Sequence, residues 1–162
     1  MATFFNQPID EVSTTKKDML GKIVEYNGKL YKYVSLINDT ATVAGIAGDP
    51  VAYDASTGYE ANVVVLDLTD ADTIPICAGF LCGTVTGTAD TTYYLWIQIE
   101  GVVTVHTAIT NGVVGNPVYL TTTDKTLAKS VEVDTAGAYK QNVGVELTAT
   151  AADNKILANC PR

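Results

Sequence analysis

Hydrophobic and polar positions alternate along this chain in short runs. The clearest run spans residues 94–99, where Leu95, Ile97 and Ile99 oppose Tyr94, Trp96 and Gln98, as the two faces of one strand do. Residues 22–26 and 29–34 flank Asn27-Gly28, a pair suited to a type I′ hairpin turn because both central positions need positive φ. The same patterning predicts strands at 40–46, 50–53, 61–68, 76–86, 93–100, 102–107, 117–121, 130–133, 143–148 and 156–159, most of them separated by Gly or by Asp, Asn, Ser and Thr. Nothing of comparable length holds a helical period, apart from a short turn at 14–20. Many short strands with close turn signals predict an all-β chain built as a sandwich or as small barrel units. Residues 1–20 carry Phe4, Phe5, Pro8 and Ile9 but no sustained period, and read as an extended N-terminal arm ahead of a β domain at 21–162. Two phenylalanines near the tip imply that the arm is tied down, either against another chain or back on its own domain.

The pattern also repeats. Gly45-Ile-Ala-Gly48-Asp-Pro-Val51 matches Gly112-Val-Val-Gly115-Asn-Pro-Val118, and each copy leads to a short strand, a polar turn and a Val-rich strand. Each then reaches a Gly inside an apolar run, Ala78-Gly79-Phe80 and Val143-Gly144-Val145. Gly supplies an unusual φ, Asx bonds its own backbone, and Pro opens a strand where no N–H is needed. Two related β units, at about 40–86 and 107–150, are therefore expected.

Composition sharpens this picture. Charged residues are 17% against 47% hydrophobic, well under the usual charged share of roughly a quarter. The formal charge of −8 sits in the middle: residues 41–110 contain no Lys or Arg, but they hold Asp49, Asp54, Glu60, Asp67, Asp70, Asp72, Asp90 and Glu100. Phosphate binding needs clustered Lys and Arg, so nucleic acid is not the expected partner. The acidic stretch serves solubility, or forms an outward face with the lysines turned to a partner. No stretch is long enough to span a bilayer, and residues 1–10 lack the basic and apolar regions of a secretory signal, so cytoplasmic synthesis and no membrane partner are expected.

Candidate chemistry is sparse. His106 is the single histidine, in a strand with Val105; a dyad with Cys82 has no local support. Cys77 and Cys82 lack the spacing of a zinc site and fall on opposite faces of one strand; with Cys160 they make an odd number, expected as reduced, buried thiols. Asp67, Asp70 and Asp72 resemble a fragment of a calcium loop without its Gly and closing Glu, and a solvated turn is the plainer reading. Tyr93, Tyr94 and Trp96 suit either core plus interface or a platform for sugars. No phosphate loop, nucleophile elbow or dinucleotide fingerprint appears, so neither catalysis nor a cofactor is expected.

The segments Gly115-Asn-Pro-Val-Tyr-Leu120 and Val143-Gly-Val-Glu-Leu147, the earlier Gly48-Asp-Pro-Val-Ala-Tyr53 and the opening Leu20-Gly-Lys-Ile-Val-Glu25 together resemble the head-decoration (capsid cement) proteins of tailed bacteriophages. The likeness spans roughly residues 20–150 as a pattern of strands. It implies a β-rich, often trimeric protein on the outer surface of an expanded capsid, bound to the major capsid protein where capsomers meet, with an arm reaching across the shell. Phe4, Phe5, Pro8 and Ile9 would then be capsid or subunit contacts, and Tyr93, Tyr94 and Trp96 interface aromatics. Tail and fibre domains use similar β punctuation, which keeps a module that binds host glycans as the alternative. Much of the family is smaller, so the doubled unit implies a larger footprint or a different stoichiometry.

Overall fold

The computed structural model describes residues 5–38, 43–68, 75–106, 109–121, 123–129, 142–148 and 154–161. Across them run β1 (Ile23–Tyr26), β2 (Lys29–Asn38), β3 (Pro50–Tyr53), β4 (Val63–Val65), β5 (Cys77–Leu81), β6 (Thr91–Val105), β7 (Ile109–Thr110), β8 (Pro117–Leu120), β9 (Leu127–Lys129), β10 (Asn142–Thr148) and β11 (Asn154–Asn159). The one helical turn among the described residues is a 3-10 turn at Tyr59–Ala61. The chain is all-β. Its strands follow the order β1-β2-β4-β3-β5-β6-β11-β10-β8-β9-β7, and β2 also pairs with β6. That extra pairing closes β2, β4, β3, β5 and β6 into a five-stranded barrel, with the other strands outside it.

The outer strands repeat the barrel's pairing. In the barrel β2 runs parallel to β4, and β3 links β4 to β5 by antiparallel pairing. Outside it β7 runs parallel to β9, and β8 links β9 to β10 in the same way. The two heptapeptides occupy matching places. Gly48 N–H donates to Leu81 O (2.8 Å) and Leu81 N–H to Asp49 O (2.9 Å); Gly115 N–H donates to Glu146 O (2.9 Å) and Glu146 N–H to Asn116 O (3.0 Å). The glycines inside the apolar runs also match, because a neighbouring strand passes against each of them. A Cβ on Gly79 would lie 2.8 Å from Gln98 O, and one on Gly144 would lie 2.4 Å from Leu157 O.

Several elements differ from the sequence expectation. The strands expected at 93–100 and 102–107 are one strand, β6, because Gly101 adopts a φ of 97° and the ladder continues through it. The expected strand at 76–86 ends at Leu81, and only Val85 pairs again, in an isolated bridge with Gly45. Within 40–46 the described residues form no strand beyond that bridge, and 61–68 narrows to β4, after which Leu66 and Leu68 turn into the core. The short strand β9 was not anticipated; the expected strand at 130–133 lies outside the described residues. No helical turn forms at 14–20. The Asn27-Gly28 hairpin is as expected, with φ of 52° and 71° joining β1 to β2.

One apolar cluster fills the barrel and continues among the outer strands, from Val34, Leu36, Leu95, Ile97 and Ile99 to Val118, Leu127, Val143 and Ile156. A second cluster, Val24, Tyr31, Tyr33 and Trp96, lies on the opposite face of β6 and β2. Both faces of β6 are thus buried from Leu95 to Ile99, and the Trp96 side is covered by residues 5–22.

Candidate interaction surface

Residues 5–22 form a strap across the outside of the barrel. Phe5 sets its ring edge-on against Trp96 (centroids 4.9 Å, planes 88°) and makes similar contacts with Tyr26 (5.8 Å) and Tyr31 (6.3 Å). Ile9 and Leu20 pack on the same cluster. Aromatic side chains bury a large area but bring a polar tip that must be satisfied, and Gln7 meets that need. Its side chain is fully buried, its Oε1 accepts from Tyr33 Oη (2.9 Å) and its carbonyl accepts from Trp96 Nε1 (3.1 Å). Its Nε2 donates to Tyr94 O (3.0 Å) and Glu11 O (2.6 Å). Further along, Ser13 and Tyr94 exchange backbone bonds (3.1 and 2.7 Å), so the strap takes up the edge of β6 beyond the point where β5 leaves it.

The strap then turns into β1. Lys17 N–H donates to Tyr33 Oη (3.0 Å), Lys17 pairs with Glu11, and Lys22 Nζ lies 2.8 Å from Asp18 Oδ2. Burial works against the Asp18 carboxylate, but the bonds from Lys22 and from Met19 N–H outweigh it and hold its pKa below the ordinary range. Around this junction Met19 (69% exposed) and Ile23 (41%) face outward, whereas Tyr26 lies on the opposite face of β1 from Ile23, beside Phe5. β1 ends the strand order and pairs only with β2 among the described strands.

The residues singled out in the sequence fall in different places. Phe5 and Ile9 are half-buried in the chain's own strap, Pro8 is exposed, and Phe4 lies outside the described residues. Tyr93 is buried on the core side, its hydroxyl donating to Thr86 O (2.7 Å). Tyr94 and Trp96 face the strap; Trp96 is fully buried, so its ring offers no face to a sugar while the strap is seated. Cys77 and Cys82 do lie on opposite faces, one in each cluster, and burial pushes the Cys82 thiol up to about 12. Asp67 is described, whereas Asp70 and Asp72 are outside the described residues. Among the described residues no group of three or more His, Cys, Asp or Glu side chains could hold a metal ion. No helix among them is long and apolar enough to cross a membrane.

Sequence reasoning missed two polar arrangements. Gln7 gave no periodic signal, although an outward aromatic pair on a strand with an apolar inner face calls for a cover. The second joins His106 Nδ1 to Asp49 Oδ1 at 3.1 Å, with Asp49 buried and its Oδ2 accepting from Ile46 N–H (3.0 Å). This pair fastens the turn before β3 to the end of β6, and among the described residues the ring bonds no other side chain. Comparison with family models and with curated protein sequences finds no match.

Proposed function

We propose that this chain is a structural virion protein that binds the outer surface of an assembled phage capsid and stabilises it where capsomers meet. The observation that carries the reading is the apolar shoulder of exposed Met19 and Ile23 at the start of β1, a strand with no described partner on its far edge. Exposed apolar side chains next to an open strand edge are what a protein partner covers. The strap's inner side chains are already used on the barrel, so the shoulder rather than Phe5 and Ile9 is the surface offered. The phage-decoration motifs in both copies of the heptapeptide support the same reading. The partner is then the major capsid protein, copies meet as trimers on the shell, and preferential binding to the assembled lattice stabilises it by mass action.

The test is co-sedimentation with assembled capsid shells and, separately, with soluble capsid subunits. The expected result is retention on shells alone, weakened about tenfold or more by Met19→Asp combined with Ile23→Asp, with the thermal midpoint little changed. Undiminished binding by the double variant would remove the shoulder from the account. Equal binding to dissociated subunits would contradict lattice stabilisation.

A further inference from the structure

Cys77 and Cys160 are 83 positions apart in sequence, yet their Sγ atoms lie 3.9 Å apart. Cys77 opens β5 in the closed barrel. Cys160 follows β11 among the outer strands, its N–H donating to Ile99 O on β6 (2.9 Å). Both thiols sit in the apolar core cluster, and among the described residues each also lies near a carbonyl oxygen, Gly79 O at 3.7 Å from Cys77 and Val143 O at 3.9 Å from Cys160. The Tyr53 phenol is close enough to feel both: burial first, and then the two thiols, push it up to about 12. Cys82 takes no part, since it lies under the strap on the other face of the sheet.

A disulfide requires sulfurs about 2.05 Å apart. Rotation about the two Cα–Cβ bonds is the natural way to cover the remaining distance of about 2 Å. We propose that Cys77 and Cys160 are an oxidative cross-linking site, joined into an intramolecular disulfide by a low-molecular-weight disulfide such as oxidised glutathione. Cys160 is the less enclosed side chain, 5% exposed against 0% for Cys77. Its thiolate attacks one reagent sulfur, releasing the other half as a thiol and leaving a mixed disulfide. The Cys77 thiolate then attacks Cys160 Sγ and expels the second reagent thiol. Two protein thiols are oxidised, one reagent disulfide is reduced to two thiols, and the two protein protons end on the released thiols. The contact with Cys77 and burial hold the Cys160 thiol well above its ordinary range, which slows the exchange. The cross-link ties the closed barrel to the outer strands across a long loop and constrains the unfolded chain accordingly.

The full chain is incubated with oxidised glutathione, quenched in acid at intervals, denatured, alkylated and analysed by intact mass and peptide mapping. The expected end point is loss of two hydrogens, a fall in alkylatable thiols from the three in the sequence to one, and a linked peptide pair containing Cys77 and Cys160. The thermal midpoint rises by roughly 5–15 °C. Cys82→Ala gives the same loss of two hydrogens, the same linked pair and the same rise, its alkylatable thiols falling from two to none, and Cys160→Ala gives none of these; if Cys160→Ala does not fold, Cys82→Ala and the peptide map decide. Three alkylatable thiols at the end of the time course, a glutathione adduct alone, or a link involving Cys82 would each overturn the proposal.

Discussion

Glu146 and Leu81 occupy the same place in the two copies of the strand pairing, and they differ in what they bury. In the barrel a Cβ on Gly45 would lie 2.6 Å from Leu81 Cδ1; among the outer strands a Cβ on Gly112 would lie 2.5 Å from Glu146 Oε1. The first contact is apolar. The second sets a buried carboxylate against a glycine, and its Oε2 has no hydrogen-bond partner among the described residues. An unsatisfied buried polar atom costs about 1–3 kcal/mol, so Glu146→Leu, which restores the barrel's own solution, is expected to raise stability by that amount. Urea denaturation followed by circular dichroism checks it, and a lower midpoint would mean that the carboxylate has a role the geometry does not reveal. The heptapeptide match was legible in the sequence. The Glu146 mismatch was legible only once both copies were extended to the strand that pairs with each. His106 and Asp49 were not legible at all, because an Asx in a turn motif already has a local backbone bond to account for it.

Among the elements, β6 and the strap were read with opposite success. The alternation at 94–99 gave the two faces of β6 correctly: Leu95, Ile97 and Ile99 enter the core while Trp96 faces away from it. The same reasoning broke β6 in two at Gly101, since a glycine between apolar runs looks like a turn when strand pairing is unknown. For the strap, Phe5 and Ile9 signalled attachment, but its destination depends on polar atoms of Trp96 and Tyr33 that periodicity does not report. Gln7 is the fastener there. Gln7→Ala removes its bonds to Tyr33, Tyr94 and Glu11 while leaving the carbonyl that serves Trp96. The expected cost is about 2–3 kcal/mol, read as a lower denaturation midpoint with a red shift in the emission of Trp96, the chain's only tryptophan. An unchanged midpoint and emission would show that aromatic packing alone seats the strap.

At the scale of the whole molecule, one strand order used twice places two sets of strands around a shared apolar cluster, with the strap over one set. Fold class was legible because alternation and turn residues are local. Barrel closure was not, since β2 and β6 are separated in sequence by residues 39–90, and nothing local encodes that return. What remains outward at the junction of strap and barrel is the pair Met19 and Ile23, on which the proposed role rests. The most direct test is immunogold electron microscopy of phage particles from a lysate encoding this chain, using antibody raised against the recombinant protein. The expected result is label spread over the head surface. Label confined to the tail, or particles that carry none, would contradict it.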